Sequence, residues 1–111
     1  MARVWYGGQQ SRAHHRATGE VIVTEVADLP IGVSVSVWTF APGSQVTLGP
    51  SYDDQSFTVL SGSGWVDSEE NGRQDLKPGA AAYVPIEDTP TFGSADGMTV
   101  VKVFGGMMMP R

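Results

Sequence analysis

The side chains of this sequence that could carry chemistry are few and scattered. Two histidines stand together at His14 and His15, and an acidic pair lies at Asp53 and Asp54. Adjacent histidines on a strand point to opposite faces, and no third ligand lies nearby in sequence, so we expect an incidental role rather than a metal site. Carboxylates of a polar turn are solvated, which argues against catalysis by the acidic pair. The chain has no cysteine, which excludes thiolate zinc sites, thiol nucleophiles and disulfides.

Other familiar site patterns are also missing from the sequence. It contains no Ser-His-Asp arrangement, no phosphate-binding loop of the Walker type and no dinucleotide fingerprint. The glycine-rich stretch at 62–64 is typical of a hairpin turn. What remains is chemistry in which the protein supplies shape and a few hydrogen-bond donors.

The composition predicts the kind of scaffold that must position these groups. The chain has 111 residues, of which 41% are hydrophobic and 17% charged, with 14 Gly and 7 Pro. This length allows one domain, and the low charge with many glycines favours short strands joined by tight turns. Plentiful apolar residues exclude disorder, and no apolar run approaches the roughly 20 residues of a membrane span. Residues 1–10 do not resemble a signal peptide. Because the chain has no cysteine, we expect a cytoplasmic protein.

Charge is distributed unevenly along the chain. Residues 1–16 contain three arginines and no acid, whereas residues 17–111 contain four basic and twelve acidic side chains, a net charge of −8. An acidic body repels phosphate, so nucleic acid is not an expected partner. The basic arm could dock on its own body or on a twin subunit, or it could be a solvated tail. Because a chain this short buries only about two-thirds of its surface alone and has no disulfide, we expect a homodimer.

Hydrophobic alternation predicts an all-β chain with no helix of useful length. The predicted strands are Glu20–Val26, Ile31–Phe40, Gln45–Leu48, Gln55–Leu60, Trp65–Asp67, Ala80–Val84 and Thr99–Phe104. Short strands at this spacing indicate a sandwich or a small barrel. We expect an N-terminal arm at 1–19, the barrel at 20–106 and a C-terminal tail at 107–111.

Glycines and polar residues recur at a characteristic spacing in the middle of the chain. Gly43 is followed after five residues by Gly49, after one more by Ser51, after three by Gln55 and after six by Gly62. This spacing resembles the first motif of the cupin superfamily, in which the second, third and fourth marked positions are normally His, His and Glu. The resemblance implies a single-domain cupin-type β barrel, a jelly roll.

A second motif follows at Pro78, Gly79 and Pro85, and it is similar to the second cupin motif. The histidine of that motif would fall at Asp88 by strict counting, or near Thr91. The four ligand positions therefore carry a glycine, a serine, a glutamine and a residue other than histidine. Cupin metals are held by about three imidazoles and a carboxylate, so we expect no metal and no other cofactor. The metal-dependent activities of the family are not expected either.

The resemblance and the strand alternation together predict which side chains line the barrel. Gln55 and Tyr83 are the candidate catalytic hydrogen-bond donors, and Lys102 would join them if the last strand slipped by one residue. The candidate substrate-binding residues are Ser36, Trp38, Phe40, Gly49, Ser51, Phe57, Trp65, Thr91 and Phe104. Aromatic residues inside a small barrel also serve as core, so these side chains are either ligand walls or packing. A buried amide at 55 would bond either a neighbouring hydroxyl or a ligand.

The chain also resembles small metal-free cupins that act as cyclases in bacterial polyketide pathways, including enzymes of 4+2 and 6+4 cycloadditions. This resemblance implies a metal-independent cyclase that folds a hydrophobic polyene or polyketide for pericyclic ring closure. Such a reaction needs one reactive conformer rather than a base or nucleophile, and orientation can contribute several kcal/mol. Two alternatives stay open. One is a non-catalytic cupin that binds a hydrophobic small molecule; the other is an isomerase or lyase that uses Glu87, Asp88 or Tyr83 as acid or base.

Overall fold

The computed structural model describes residues 10–12, 17–29 and 32–105, and within these ranges the chain is all-β, as predicted. The strands are β1 (Gln10–Arg12), β2 (Ala17–Thr18), β3 (Val21–Leu29), β4 (Val33–Phe40), β5 (Ser44–Thr47), β6 (Gln55–Gly62), β7 (Gly64–Ser68), β8 (Gly72–Leu76), β9 (Ala81–Val84), β10 (Thr91–Ser94) and β11 (Met98–Phe104). No helix long and apolar enough to cross a membrane is found in these ranges.

The strands form two antiparallel sheets. The first has the order β1-β3-β4-β11-β6-β9, and the second has the order β2-β5-β10-β7-β8. Consecutive strands often lie in different sheets, because β5 leaves the first sheet after β4 and β9 returns to it after β8. This crossing of the chain between two antiparallel sheets is consistent with the predicted jelly roll.

The core lies between the sheets, where alternate residues of each strand point inward. In β4 the alternation brings Trp38 and Phe40 to the inward face. The rings of Phe57 and Phe92 meet across the two sheets with 4.5 Å between their centroids, and both are almost fully buried. Each buried side chain of this size stabilises the fold by about 1.5–3 kcal/mol relative to leaving it exposed.

The glycines of the first motif have a structural reason at the end of the barrel where β6 turns into β7. Gly62 has a φ of 76°, and a Cβ there would clash with the carbonyl oxygen of Gly97. Gly43 also has a positive φ, of 78°, but a Cβ there would meet no atom within 4 Å. The turn after β6 therefore requires glycine at 62 for both space and backbone conformation, and the turn between β4 and β5 requires glycine at 43 for conformation alone.

Three strands lie where the sequence predicts none, and a fourth, β8, has no predicted range, although a hairpin turn predicted at Glu69–Gly72 indicates a strand after it. β10 forms in a segment predicted as a loop, and β8 is a polar strand that follows the turn at Asn71 and Gly72. β1 and β2 lie within the predicted arm and pair with β3 and β5. Short polar segments carry no alternation, and they become strands here because the edge of a neighbouring strand offers hydrogen bonds. His14 and His15 and the predicted tail at 107–111 lie outside the described residues.

Candidate binding site inside the barrel

A row of side chains crosses the inward face of the first sheet. The register pairs Ser36 of β4 with Lys102 of β11, and Lys102 with Phe57 of β6. The row continues to Glu25 of β3 on one side and to Ala82 of β9 on the other. Paired residues of antiparallel strands project to the same face of a sheet. Because Ser36 and Phe57 are buried inside the barrel, Lys102 also projects into it.

The inward side chains of β3 and β11 become more exposed toward one end of the first sheet, which we call the open end. Along β11 the inward side chains change from buried, at Met98 and Val100, to half-buried, at Lys102 and Phe104. Along the inward face of β3 the side chains change in the same direction, to an exposed Glu25. The open end is therefore the one that holds Phe104, and the row with Lys102 lies just inside it.

Trp38 forms a flat wall one level deeper than this row. Its ring contacts Phe57 edge-on, with 5.6 Å between the centroids. Its indole N–H donates a hydrogen bond to the hydroxyl of Ser36 over 3.0 Å, and only 8% of the residue is exposed. The hydrogen bond and the ring contact fix the plane of the indole, so the wall is preorganised.

Lys102 places its ammonium among aromatic rings. Its Nζ lies 5.1 Å from the ring centroid of Trp38, 5.5 Å from that of Phe104 and 6.0 Å from that of Phe57. Desolvation lowers the pKa of Lys102 below its ordinary value of 10.5, and the negative charge of Glu25 opposes this only in part. In the part of the chain that the structure describes, no carboxylate lies within the 4.0 Å of an ion pair with this ammonium.

Gln55 is the uncharged polar group of the same wall. It pairs with Phe104 of β11 and with Val84 of β9, and it is 3% exposed. Its amide forms no hydrogen bond with another described side chain or with the described backbone. No fully enclosed polar side-chain atom among the described residues lacks a partner. The amide therefore keeps a small accessible surface and is available to a ligand.

Two loops border the open end, one after β5 and one after β9. The backbone N–H of Glu87 donates a hydrogen bond to the carbonyl of Ser51 over 3.1 Å, which joins the two loops. Tyr52 is largely exposed, and its ring contacts Phe104 with 5.2 Å between the centroids. Gly49, at the start of the first loop, is half-buried. A ligand that enters the barrel would pass this rim.

Comparison with solved structures identifies the architecture. A cupin-like protein from Thermotoga maritima matches with a TM-score of 0.75 at 18% identity, over 94% of this chain and 81% of that chain. A predicted oxalate decarboxylase from the same organism matches with a TM-score of 0.77 at 13% identity, over 87% and 91%. The chain has the cupin fold. Ectoine synthase from P. lautus also matches, with a TM-score of 0.70 at 13% identity, over 77% of this chain and 63% of that chain. No protein-family model and no curated protein matches the sequence.

The side chains at the cupin metal positions do not fit a divalent metal. Ser51 uses its hydroxyl within its loop, where it donates to the carbonyl of Asp53 over 3.0 Å. Gly49 has no side chain, and Gln55 offers a neutral amide. In the described ranges no three His, Cys, Asp or Glu side chains converge. Since a divalent metal needs imidazole or carboxylate ligands in number, these three positions do not supply a ligand set for one.

Most of the predicted wall residues lie at the barrel interior. Ser36, Trp38, Gln55, Phe57 and Phe104 share the inward face of the first sheet. The structure also places Phe40 on this face, but at the opposite end of the sheet with 2% exposure, where it is part of the core. Gly49 and Ser51 border the open end in the loop that follows β5.

The predicted place of Trp65 in the barrel is wrong. Trp65 lies on the outer face of the second sheet, where it covers Gly93 and carries the guanidinium of Arg73 3.9 Å above its ring. Its neighbour Val66 takes the inward position. A shift of one residue exchanges the faces of a strand, and the bulk of Phe92 opposite Val66 decides the face here.

Thr91 also lies on the outer face of the second sheet. Its hydroxyl shares a hydrogen bond of 2.8 Å with that of Thr47 on the neighbouring strand. The next residue, Phe92, is inward and fully buried. The hydrogen bond between the two threonine hydroxyls favours the outward position of Thr91. A ligand inside the barrel therefore does not reach Thr91.

Tyr83 also lies outside the barrel interior, contrary to the prediction. It pairs with Ser56 on the outer face of the first sheet and is 39% exposed. It borders a groove of about 330 Å³ between β9 and the hairpin of β7 and β8, together with Asp88. Desolvation raises the pKa of the Tyr83 phenol above its ordinary value of 10.0, and the neighbouring Asp54 carboxylate adds to this. Tyr83 is therefore not a partner of Gln55 inside the barrel.

Lys102 is the functional candidate that the sequence analysis places only conditionally. It lies two residues before Phe104, so an inward Phe104 requires an inward Lys102 without any slip of the strand. The adjacent valines at 100 and 101 obscure this alternation, and the pairing with β6 shifts between Thr99 and Val100. The inward position of Lys102 was nevertheless predictable from its separation of two residues from Phe104.

Proposed function

We propose that this protein is a metal-independent cyclase whose barrel folds a hydrophobic polyene or polyketide chain for pericyclic ring closure. A cupin that processes a small molecule agrees with the similar folds, which include an ectoine synthase and a predicted oxalate decarboxylase. The observation that carries the narrower proposal is the aromatic wall of Trp38, Phe57 and Phe104 with the available amide of Gln55 beside it.

The wall would act by selecting one folded conformer of a flexible chain. Aromatic faces hold an apolar chain through contact area, and Trp38 is already fixed by its hydrogen bond to Ser36. Holding the reacting carbons together removes most of the orientational entropy from the barrier, an effect that can reach several kcal/mol. In the ring closure itself the new σ bonds form from π electrons of the substrate, and no proton leaves or enters.

Gln55 would act on a carbonyl conjugated with the polyene. Its NH₂ can donate a hydrogen bond to the carbonyl oxygen, which withdraws electron density from the attached double bond. An electron-poor double bond adds to an electron-rich diene faster, and a donor aimed at developing charge contributes about 2.7–4 kcal/mol in other enzymes. The position of the amide beside Phe104 and near the open end suits a substrate whose carbonyl enters last.

The positions of the acidic groups support this proposal over the acid–base alternative. Glu87 is exposed in the rim loop and has a φ of 68°, and Tyr83 lies on the outer face of the first sheet. Asp88 borders the groove between β9 and the β7–β8 hairpin, which Val66 and Val84 also line. With no proton transfer in the chemical step, kcat should show no loss between about pH 8 and pH 5, whereas a carboxylate base would lose activity on the acid side.

The test uses a matched pair of tryptophans, one on each face of the fold. The probe is a trienone that closes slowly by itself through an intramolecular 4+2 cycloaddition. The wild-type protein should accelerate the closure or bias the ratio of product diastereomers. Trp38→Leu should lose about tenfold to a hundredfold of this effect, because it removes a wall worth about 1.5–3 kcal/mol of contact. Trp65→Leu should stay within twofold.

Melting curves of both variants separate a lost wall from a lost fold. Equal losses in the two folded variants would contradict a barrel site. Binding of the trienone without any acceleration or bias would instead favour the non-catalytic binding cupin.

A further inference from the structure

We propose that Lys102 is an anion-binding residue of the barrel and that its ligand is a hydrophobic carboxylate. The ligand would have an apolar chain against the aromatic wall and a carboxylate at the ammonium. This inference deepens the proposed function, because it rests on a ligand entering the barrel and names the polar group that the ligand carries.

The geometry places the charge where a ligand head group would lie. Nζ of Lys102 has three aromatic rings within 6.0 Å, on Trp38, Phe57 and Phe104. All three belong to the inward face, and Phe104 is at the open end. A carboxylate that reaches Nζ therefore has an apolar surface around the remainder of its chain.

Among the described residues, no carboxylate forms an ion pair with the ammonium of Lys102. An ammonium that is removed from water without a counter-ion destabilises the fold, and a bound anion restores the lost interaction. Glu25 of β3 is the titratable side chain that faces Lys102 in this row, and it acts on the ammonium without an ion pair. From β4 and β6 the row contributes Ser36 and Phe57, which do not titrate.

The other basic side chains between residues 17 and 105 do not compete for this role. Arg73 is stacked on Trp65 on the outer face of the second sheet, and Lys77 is exposed in the turn between β8 and β9. The residues from 17 to 111 carry a net charge of −8, so an anion is repelled from most of the surface. Lys102 is thus a local positive charge inside an acidic protein. A ligand with a single carboxylate is therefore attracted to this position and repelled from most others.

Protonation decides the pH dependence of binding. The carboxylate should bind the protonated form of Lys102, so its affinity falls as the pH rises through the pKa of Lys102. Desolvation places that pKa below 10.5 in the free protein. The bound anion stabilises the ammonium, so binding should raise the pKa of Lys102.

The experiment compares a fluorescent conjugated tetraene acid, parinaric acid, with its methyl ester. The ester keeps the apolar chain and removes the charge. For the wild-type protein at pH 7 we expect the acid to bind about tenfold or more tightly than the ester, the ordinary range for a charge-assisted contact. Lys102→Met should remove this preference, and Lys102→Arg should keep part of it. Lys77→Met removes the same charge outside the barrel and should leave the preference unchanged.

The outcomes distinguish this inference from the proposed function. Equal binding of acid and ester to the wild-type protein would overturn the carboxylate site while leaving a hydrophobic barrel ligand in place. Loss of the preference in Lys77→Met as well as in Lys102→Met would show a general charge effect and would also overturn it. No binding of either probe would contradict both the inference and the proposed barrel site.

Discussion

Replacing Lys102 by methionine should make the protein more stable while it abolishes the preference for an anion. Methionine has a similar length and no charge, and it would place a thioether among the rings of Trp38, Phe57 and Phe104. The substitution removes a cation that the fold holds without a counter-ion in the described residues. Replacing an uncompensated charge by an apolar group of similar volume increases the free energy of unfolding by between zero and several kcal/mol. For a half-buried side chain we expect about 1 kcal/mol.

The stabilisation expected from Lys102→Met depends on pH. A lysine whose folded pKa lies below its unfolded value of 10.5 destabilises the folded state at neutral pH, and this cost disappears as the pH rises toward 10.5. The advantage of Lys102→Met over the wild type should therefore be largest near pH 7 and shrink toward pH 10. At pH 7 it corresponds to a melting temperature raised by about 3–6 °C for a domain of this size.

Thermal and urea unfolding at pH 7 and pH 10 measure this advantage, with Lys77→Met as the reference for removing one exposed charge. The reference should lie within about 0.5 kcal/mol of the wild type at both values. A Lys102→Met protein less stable than the wild type by 2 kcal/mol would refute the reasoning. It would mean that contacts of the ammonium with the three rings outweigh its desolvation.

Three further outcomes follow from the site and the fold. Gln55→Leu should fold normally and lose about tenfold or more in turnover of the trienone, whereas unchanged turnover would leave the amide without a role in the reaction. The melting temperature of Gly62→Ala should lie well below that of Gly43→Ala. Both sites have a positive φ, but only Gly62 lies against the carbonyl of Gly97; equal melting temperatures would contradict this. The protein should be a homodimer, and light scattering that gives a mass near 11.8 kDa across micromolar concentrations would count against it.

Alternation predicts the strands of this protein where they contribute to the core. β4, β6 and β11 were expected from their apolar periods, and each carries residues of the candidate site. The same patterns could not predict β8, because its exposed residues follow a turn and depend on pairing with β7. Nor could they predict β1, β2 or β10, which are short and take their conformation from neighbouring strands.

The candidate site was predictable where one face of a strand is clearly apolar. Trp38 and Phe57 follow from such strands, and the structure places them as expected. Trp65 and Tyr83 lie in short strands with large side chains next to small ones, where a shift of one residue exchanges inside and outside. The ring contacts around the Lys102 ammonium depend on three strands at once, and a linear pattern does not contain them.

The position of β11 has a consequence for how the protein folds during its synthesis. β11 lies between β4 and β6 and pairs with both, although it is the last of the described strands in the chain. Until the ribosome has delivered this segment, the two earlier strands have no native neighbour on one side, and their unpaired edges can join other chains. Folding must then wait for contacts between distant parts of the chain, which is slow. Lys102 and Phe104 are part of β11. A molecule that binds a ligand through these two residues therefore already has β11 paired with β4 and β6.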